Sequence, residues 1–392
     1  MKIRSFTYAA LLLLPLSLVC APQAFSKVIV VDDDKADCPS AAFSRIQDAV
    51  NAASPGDVIR VCKGLYVEQV SIKISLSIFA ENGAVLQPSN MQANAASLFD
   101  AKPLAVALLV SDASDVSIHG LIVDGTNNNV SACAPDLFGI AFLNASGSVR
   151  RTTVRNFKLA AGLNGCQSGS GVLVQSGGGQ VSSVALDSNS VHDYQKNGIT
   201  ADEVGTTVLV RSNTVTGLGA AAGAAQNGIQ IGFGADGSIR NNTVTNNLYS
   251  PCTDISTCTA VATNILVTQS DTVAVVGNTV SVNQVGIFIN GNSATLFNNE
   301  TSASSVFDGI RLEGSGNTAR GNNVVNAGES GIYVDGNNNV IRNNTITDTT
   351  VGIFKTSTSS GNLIQGNSIY DSLVRIQDPP APSLAGLIKP VR

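Results

Sequence analysis

The residues best suited to chemistry stand in two phrases of one form. Ile310-Arg311-Leu312-Glu313 follows Gly309, and Ile332-Tyr333-Val334-Asp335 follows Gly331, 22 residues further on. In each, charged or aromatic residues alternate with aliphatics, the period of an extended strand with one face turned inward. If the two phrases are neighbouring strands, Glu313 and Asp335 lie one strand spacing apart, ~4.8 Å. Two carboxyl groups that close suit glycoside chemistry, one as acid and one as nucleophile or base. Arg311 would bind a uronate carboxylate through its planar fork, and Tyr333 would stack on a sugar face. Glu313, Asp335 and Arg311 are therefore the candidate catalytic residues.

The same outward position recurs wherever a Gly-Ile phrase recurs, as at Gly198-Ile199, Gly228-Ile229, Gly286-Ile287 and Gly352-Ile353. With the Ile inward, successive copies present Thr200, Gln230, Leu266, Phe288, Arg311, Tyr333 and Phe354 in one exposed stripe. Phe288, Phe354 and Tyr333 are the expected sugar platforms, and Gln230 is a polar substrate contact. A second polar patch, Asp193, Lys196, Gln226 and Gln230, adds Lys196 to the substrate-binding set.

Such a stripe requires stacked coils, and a second phrase supplies the period. Asn-x-Val/Ile begins at Asn189, Asn213, Asn242, Asn278, Asn322, Asn344 and Asn367, with Asn299 a degenerate copy. From Asn278 onward the steps are 21, 23, 22 and 23 residues. Self-similarity at this period marks a solenoid. Each step holds three short β-branched runs, so the chain turns three times per coil and lays each strand parallel to its counterpart. Parallel crossovers are right-handed. The expected fold is all-β, a right-handed three-sided parallel β-helix. Its Asn residues should form an internal ladder at a corner, where Asn tolerates left-handed backbone.

Composition agrees: 37 Gly, no Trp, 5% aromatic and 13% charged residues fit many short strands better than a compact α/β enzyme. Residues 1–26 read as a signal peptide, with Lys2 and Arg4 before an apolar run and Ala24-Phe25-Ser26 at the cleavage site. Residues 27–377 form one β-helix domain, with an N-terminal cap over about 27–68 that includes a helix at Phe43–Ala53. Residues 378–392 are a Pro-rich tail acting as plug or strap. The six cysteines beyond the signal peptide imply disulfides in an exported chain, paired in sequence order: Cys38–Cys62, Cys133–Cys166 and Cys252–Cys258. The last would pin a loop inserted between Asn242 and Asn278. No metal site is expected, since Cys-x-x-Cys is absent and only His119 and His192 are available. Asp32-Asp33-Asp34 reads as a solvated run. The formal charge of −5 gives no reason to expect nucleic acid, and no later segment is apolar enough to insert in a membrane.

The stretch Ser44–Glu68, SRIQDAVNAASPGDVIRVCKGLYVE, resembles the opening of the pectin-lyase-like right-handed β-helix superfamily, and the Gly-Ile and Asn-x-Val phrases are similar to its generic repeat. The resemblance spans nearly the whole mature chain. It implies the fold, and it implies polysaccharide clefts on the outer face of the Gly-Ile strands. The polygalacturonase-like Asp-Asp and Gly-His-Gly signatures do not occur among the repeats, and the epimerase-like Asp-Pro-His is missing. The functional expectation is an exported, secreted or periplasmic protein, without cofactor, that binds an extended acidic polysaccharide, either cleaving or modifying it through Glu313 and Asp335 or holding it as a lectin-like module. The alternative is a non-enzymatic cell-envelope scaffold; a copper-site maturation role is weakened by the poverty of His and Met.

Overall fold

The computed structural model describes residues 26–377 and 390–391, so the expected signal peptide and most of the expected C-terminal tail lie outside the described residues. The chain winds as a right-handed parallel β-helix. One face is a 13-stranded sheet running from Val28–Val31 to Leu363–Gln365. We call it the second sheet. The Gly-Ile strands form another face, from Pro103–Ser111 to Val374–Gln377, and short strands from Gly64–Tyr66 to Ser368–Tyr370 form the third. The Gly-Ile and third faces join in one sheet because Asn323–Asp335 and Thr345–Lys355 run through the corner unbroken. The pairings are parallel, except the short strand Ala95–Ala96 against Pro103–Ser111.

The interior is stacked Ile, Val and Leu. Ile199, Ile229, Ile265, Ile287, Ile310, Ile332 and Ile353 are partners in consecutive rungs, and all are buried. Each such side chain contributes ~1.5–3 kcal/mol by burial. A glycine before six of these Ile residues lets the corner close, with Asn264 in that place before Ile265. A Cβ at Gly309 would lie 2.3 Å from Val324 Cγ1, and one at Gly331 2.3 Å from Ile346 Cγ2.

The asparagine ladder runs unbroken from Asn189 to Asn367. Asn213 shows the unit: its backbone N–H and its Nδ2 both donate to Asn242 Oδ1 at 2.9 Å, while Nδ2 also donates to Leu186 O at 2.9 Å. The same pattern continues through Asn299, Asn322 and Asn344. The left-handed residue of each corner is not the ladder Asn, as expected from sequence, but the one before it: Ser212, Asn241, Gly277, Asn298, Gly321, Asn343.

The capping helix is shorter than expected, Ile46–Ala52. Phe43 instead bridges Val31 as extended chain. Glu68 caps the helix, accepting from Ile46 N at 2.7 Å and Gln47 N at 3.0 Å, which satisfies two N–H groups the first turn leaves free. The three disulfides pair in sequence order, and Cys252–Cys258 closes the inserted loop. Asp32 does not belong to a solvated run. It is fully buried and accepts from Cys38 N, while Asp33 accepts from Leu65 N at 3.0 Å.

Candidate functional site

The structure brings the sequence-predicted residues into the expected register. Thr200, Gln230, Leu266, Phe288, Arg311, Tyr333 and Phe354 are consecutive partners, and Glu313 pairs with Asp335 on adjacent strands. Their exposure differs from expectation. Arg311 is 1% exposed, Tyr333 0%, Phe288 1%, Phe354 6%, and Gln230 and Lys196 0%. The stripe points away from the solenoid core, yet it is closed to solvent.

The physical reasons differ along the stripe. Phe288 packs with Leu266 into a satellite cluster built by Cys252, Val261, Val306 and Phe307, so the inserted loop supplies its cover. Lys196 Nζ donates to Ala225 O at 2.5 Å, and Gln226 Nε2 to Tyr194 O at 2.7 Å, so these two members of the second patch are spent inside the fold, while Asp193 stays partly exposed beside His192 and Lys158. Gln230 joins Asn197, Asp202 and the far end of the chain. Its Oε1 accepts from Asn197 Nδ2 and from Val391 N, each at 3.0 Å, and its Nε2 donates to Asp202 Oδ1 and to Val391 O. The C-terminal backbone thus sits six rungs from the last strand, Val374–Gln377.

The centre of the stripe is an ion network around Arg311. Its Nη1 donates to Asp308 Oδ2 at 2.8 Å and its Nε to Glu313 Oε1 at 2.7 Å. Its guanidinium lies 3.6 Å from the Tyr333 ring centroid, and that ring stacks on Phe354 at 5.3 Å. Arg311 is therefore committed to two carboxylates and an aromatic face, and Tyr333 is sandwiched between Arg311 and Phe354. These contacts suit positioning, in place of the uronate and sugar contacts expected of them. Glu313 and Asp335 sit at the rim, partly exposed, with Asp335 Oδ1 accepting from Thr356 Oγ1 at 2.9 Å.

Sequence reasoning missed two members of this network. Asp308 is wholly buried, accepting from Arg311 and from Ser330 N at 3.2 Å. Glu329, partly exposed, is pushed up to about 7 by burial and then by the charge of Asp308, with Arg311 opposing. Burial pulls the Arg311 guanidinium down, but Asp308 and Glu313 outweigh it and hold the group protonated. Burial likewise raises Tyr333 to about 12. A carboxyl pushed up to near neutrality beside the Arg311–Asp308 and Arg311–Glu313 pairs is suited to donate a proton. The available signal was that Asp308 stands where other Gly-Ile phrases carry Asn197 or Asn227.

Residues 251–381 match the family described as periplasmic copper-binding protein (NosD). No curated protein sequence matches the chain. Among solved structures, GH136 lacto-N-biosidase from Eubacterium ramulus is similar at a TM-score of 0.58 and 12% identity, over 90% of this chain and 67% of that one. The A-module of mannuronan C-5 epimerase AlgE4 from Azotobacter vinelandii gives 0.54 and 13%, over 86% and 94%. PfbA, a surface adhesin of Streptococcus pneumoniae, gives 0.54 and 12%, over 89% and 91%. Copper does not fit the matched stretch, which contains no His and no Met and whose two Cys are bonded to each other. What the architecture and these likenesses establish together is the fold: the chain is a right-handed parallel β-helix protein, as the resemblance to the pectin-lyase-like superfamily implied.

Proposed function

We propose that this protein is an exported β-helix that engages an extended polysaccharide at the rim of its Gly-Ile stripe. The observation that carries the reading is the ion network on the outside of a solenoid. A buried arginine held by two carboxylates adds little net stability over well-packed apolar side chains, so its presence on the outer side of the strands points to a site. In this reading Glu329 is the proton donor, and Glu313 and Asp335 are its carboxyl partners at the rim. Arg311, Tyr333 and Phe354 are positioning residues that fix them. Arg311 is already paired with Asp308 and Glu313, and Glu313 and Asp335 add carboxyl groups to the rim, so the rim favours a neutral glycan over an acidic one. Two of the similar folds support the reading by their names, a lacto-N-biosidase and a mannuronan epimerase.

The test is a panel of neutral and acidic polysaccharides offered to the whole mature protein, with retention and product formation both measured. Retention of a neutral glycan, with any cleavage falling ~10²–10⁴-fold in Glu329→Gln, is expected. Absence of both retention and cleavage across the panel overturns the proposal. One observation favours the scaffold alternative: among the described residues, the final coil leaves Leu363, Tyr370, Leu373 and Ile376 exposed beside strands with no further partner. A chain that ignores every glycan would turn attention to that end.

A further inference from the structure

The outer face of the second sheet carries a straight row of arginines. Strand register aligns Arg60, Phe79, His119, Arg150, Asp187, Arg211, Arg240, Val276, Phe297, Arg320, Arg342 and Gln365 on consecutive rungs. Six of the chain's thirteen arginines fall in this one column, against a single aspartate, in a protein whose formal charge is −5. All six are exposed. Arg211 pairs with Asp187 at 2.8 Å and Arg60 with Glu81. Among the described residues no carboxylate forms an ion pair with Arg150, Arg240, Arg320 or Arg342.

We infer that this row is a binding site for a linear polyanion, specifically an acidic polysaccharide with carboxylates along its length. The inference is independent of the Arg311 rim, which lies on a different face. Three features of the row select the ligand. First, the cations are in single file. From Arg150 to Arg342 there are seven rungs, ~34 Å at one strand spacing each, and Arg211–Arg240 and Arg320–Arg342 are adjacent. Such a row suits one extended chain with a regularly repeated charge. Second, each guanidinium fork fits a carboxylate with two parallel hydrogen bonds. Third, the column beside the arginines is mostly short side chains, more than half of them hydroxylic: Ser117, Ser148, Ala185, Leu209, Ser238, Ala274, Thr295 and Thr318 in order, with Leu209 the one large apolar residue. Around Arg150 an open trough of about 540 Å³ is lined by Ser117, Ser146, Ser148, Ser183 and Ala185, together with Asp115. A row of cations running beside serine and threonine hydroxyls matches the edge of a polyuronate, carboxylates to one side and ring hydroxyls to the other. Phe297 adds an apolar face within the row, with the Arg320 guanidinium 5.9 Å from its centroid.

The row also has a simple origin. Four of the six arginines stand two residues before a ladder asparagine, in Arg211-Ser212-Asn213, Arg240-Asn241-Asn242, Arg320-Gly321-Asn322 and Arg342-Asn343-Asn344. The ladder fixes every corner in the same place, so the residue two positions upstream is fixed on the outside of the second sheet.

The experiment measures binding of polygalacturonate to the whole mature protein, at several salt concentrations, beside the triple variant R240Q/R320Q/R342Q. These side chains are exposed, so an unchanged melting temperature will confirm that the variant folds. Binding that weakens with salt, and falls about tenfold or more in the triple variant while surviving Glu329→Gln, is expected. Undetectable polygalacturonate binding by the wild type overturns the inference, as does equal binding by the triple variant. A single-stranded oligonucleotide and anionic lipid vesicles serve as competitors. Tighter binding to either would assign the row to that polyanion and overturn the choice of polysaccharide.

Discussion

Replacing Glu329 by glutamine offers a direct reading of the Arg311 network. The Glu329 carboxyl is raised from an ordinary 4.5 to about 7, chiefly by burial and by Asp308. Between those two values the folded protein holds a proton that the unfolded chain has released. Stability must therefore fall as pH rises through that window, with no loss below about 4.5 and the full loss above about 7. At 1.36 kcal/mol per pH unit the loss is at most ~3 kcal/mol. Glu329 is only partly buried, and screening by solvent reduces this to ~1–2 kcal/mol. Glutamine keeps the shape and cannot ionise. Glu329→Gln should then match the wild type at pH 4 and exceed it by ~1–2 kcal/mol at pH 8, read from denaturant unfolding at pH 4, 6 and 8. A difference that is the same at every pH, or no gain at pH 8, would refute the assignment of a retained proton to this group.

Other consequences follow from single contacts. Asn299→Ala removes the acceptor for Asn278 N and Nδ2 inside the ladder; stranding those buried donors should cost ~2–5 kcal/mol in denaturant unfolding, and clearly more than Asn367→Ala at the ladder's partly exposed end. Arg311→Ala leaves Asp308 buried without its cation and should destabilise by ~3–5 kcal/mol, whereas Arg342→Gln on the surface should change stability by less than ~0.5 kcal/mol. Cys252→Ser with Cys258→Ser should speed hydrogen exchange within the inserted loop while leaving the strands on either side protected, because this bridge closes only six residues of separation.

How much was legible in the sequence depends on whether a feature repeats. The Asn-x-Val phrase determined the coil, because an inward amide at a fixed period is satisfied only by the amide one turn away, and the observed ladder follows it from Asn189 to Asn367. Alternation after each Gly-Ile likewise determined that Glu313 meets Asp335 and Arg311 meets Tyr333, since strand period and coil length leave one register. The sequential disulfides follow from the same one-dimensional geometry. The Arg-x-Asn spacing of the second-sheet row was equally present in the sequence, though its meaning depends on knowing which strand position faces outward.

Exposure was decided only by tertiary structure. Alternation separates inward from outward but says nothing of what lies over the outer face. Phe288 is covered by an insertion that belongs to no repeat, and Gln230 is met by Val391, 161 residues away. Nor could spacing show that Arg311 is consumed by Asp308, or that Glu329 keeps its proton, because both depend on desolvation. Desolvation is set by every atom packed around a group, and those atoms arrive from parts of the chain that no periodicity connects.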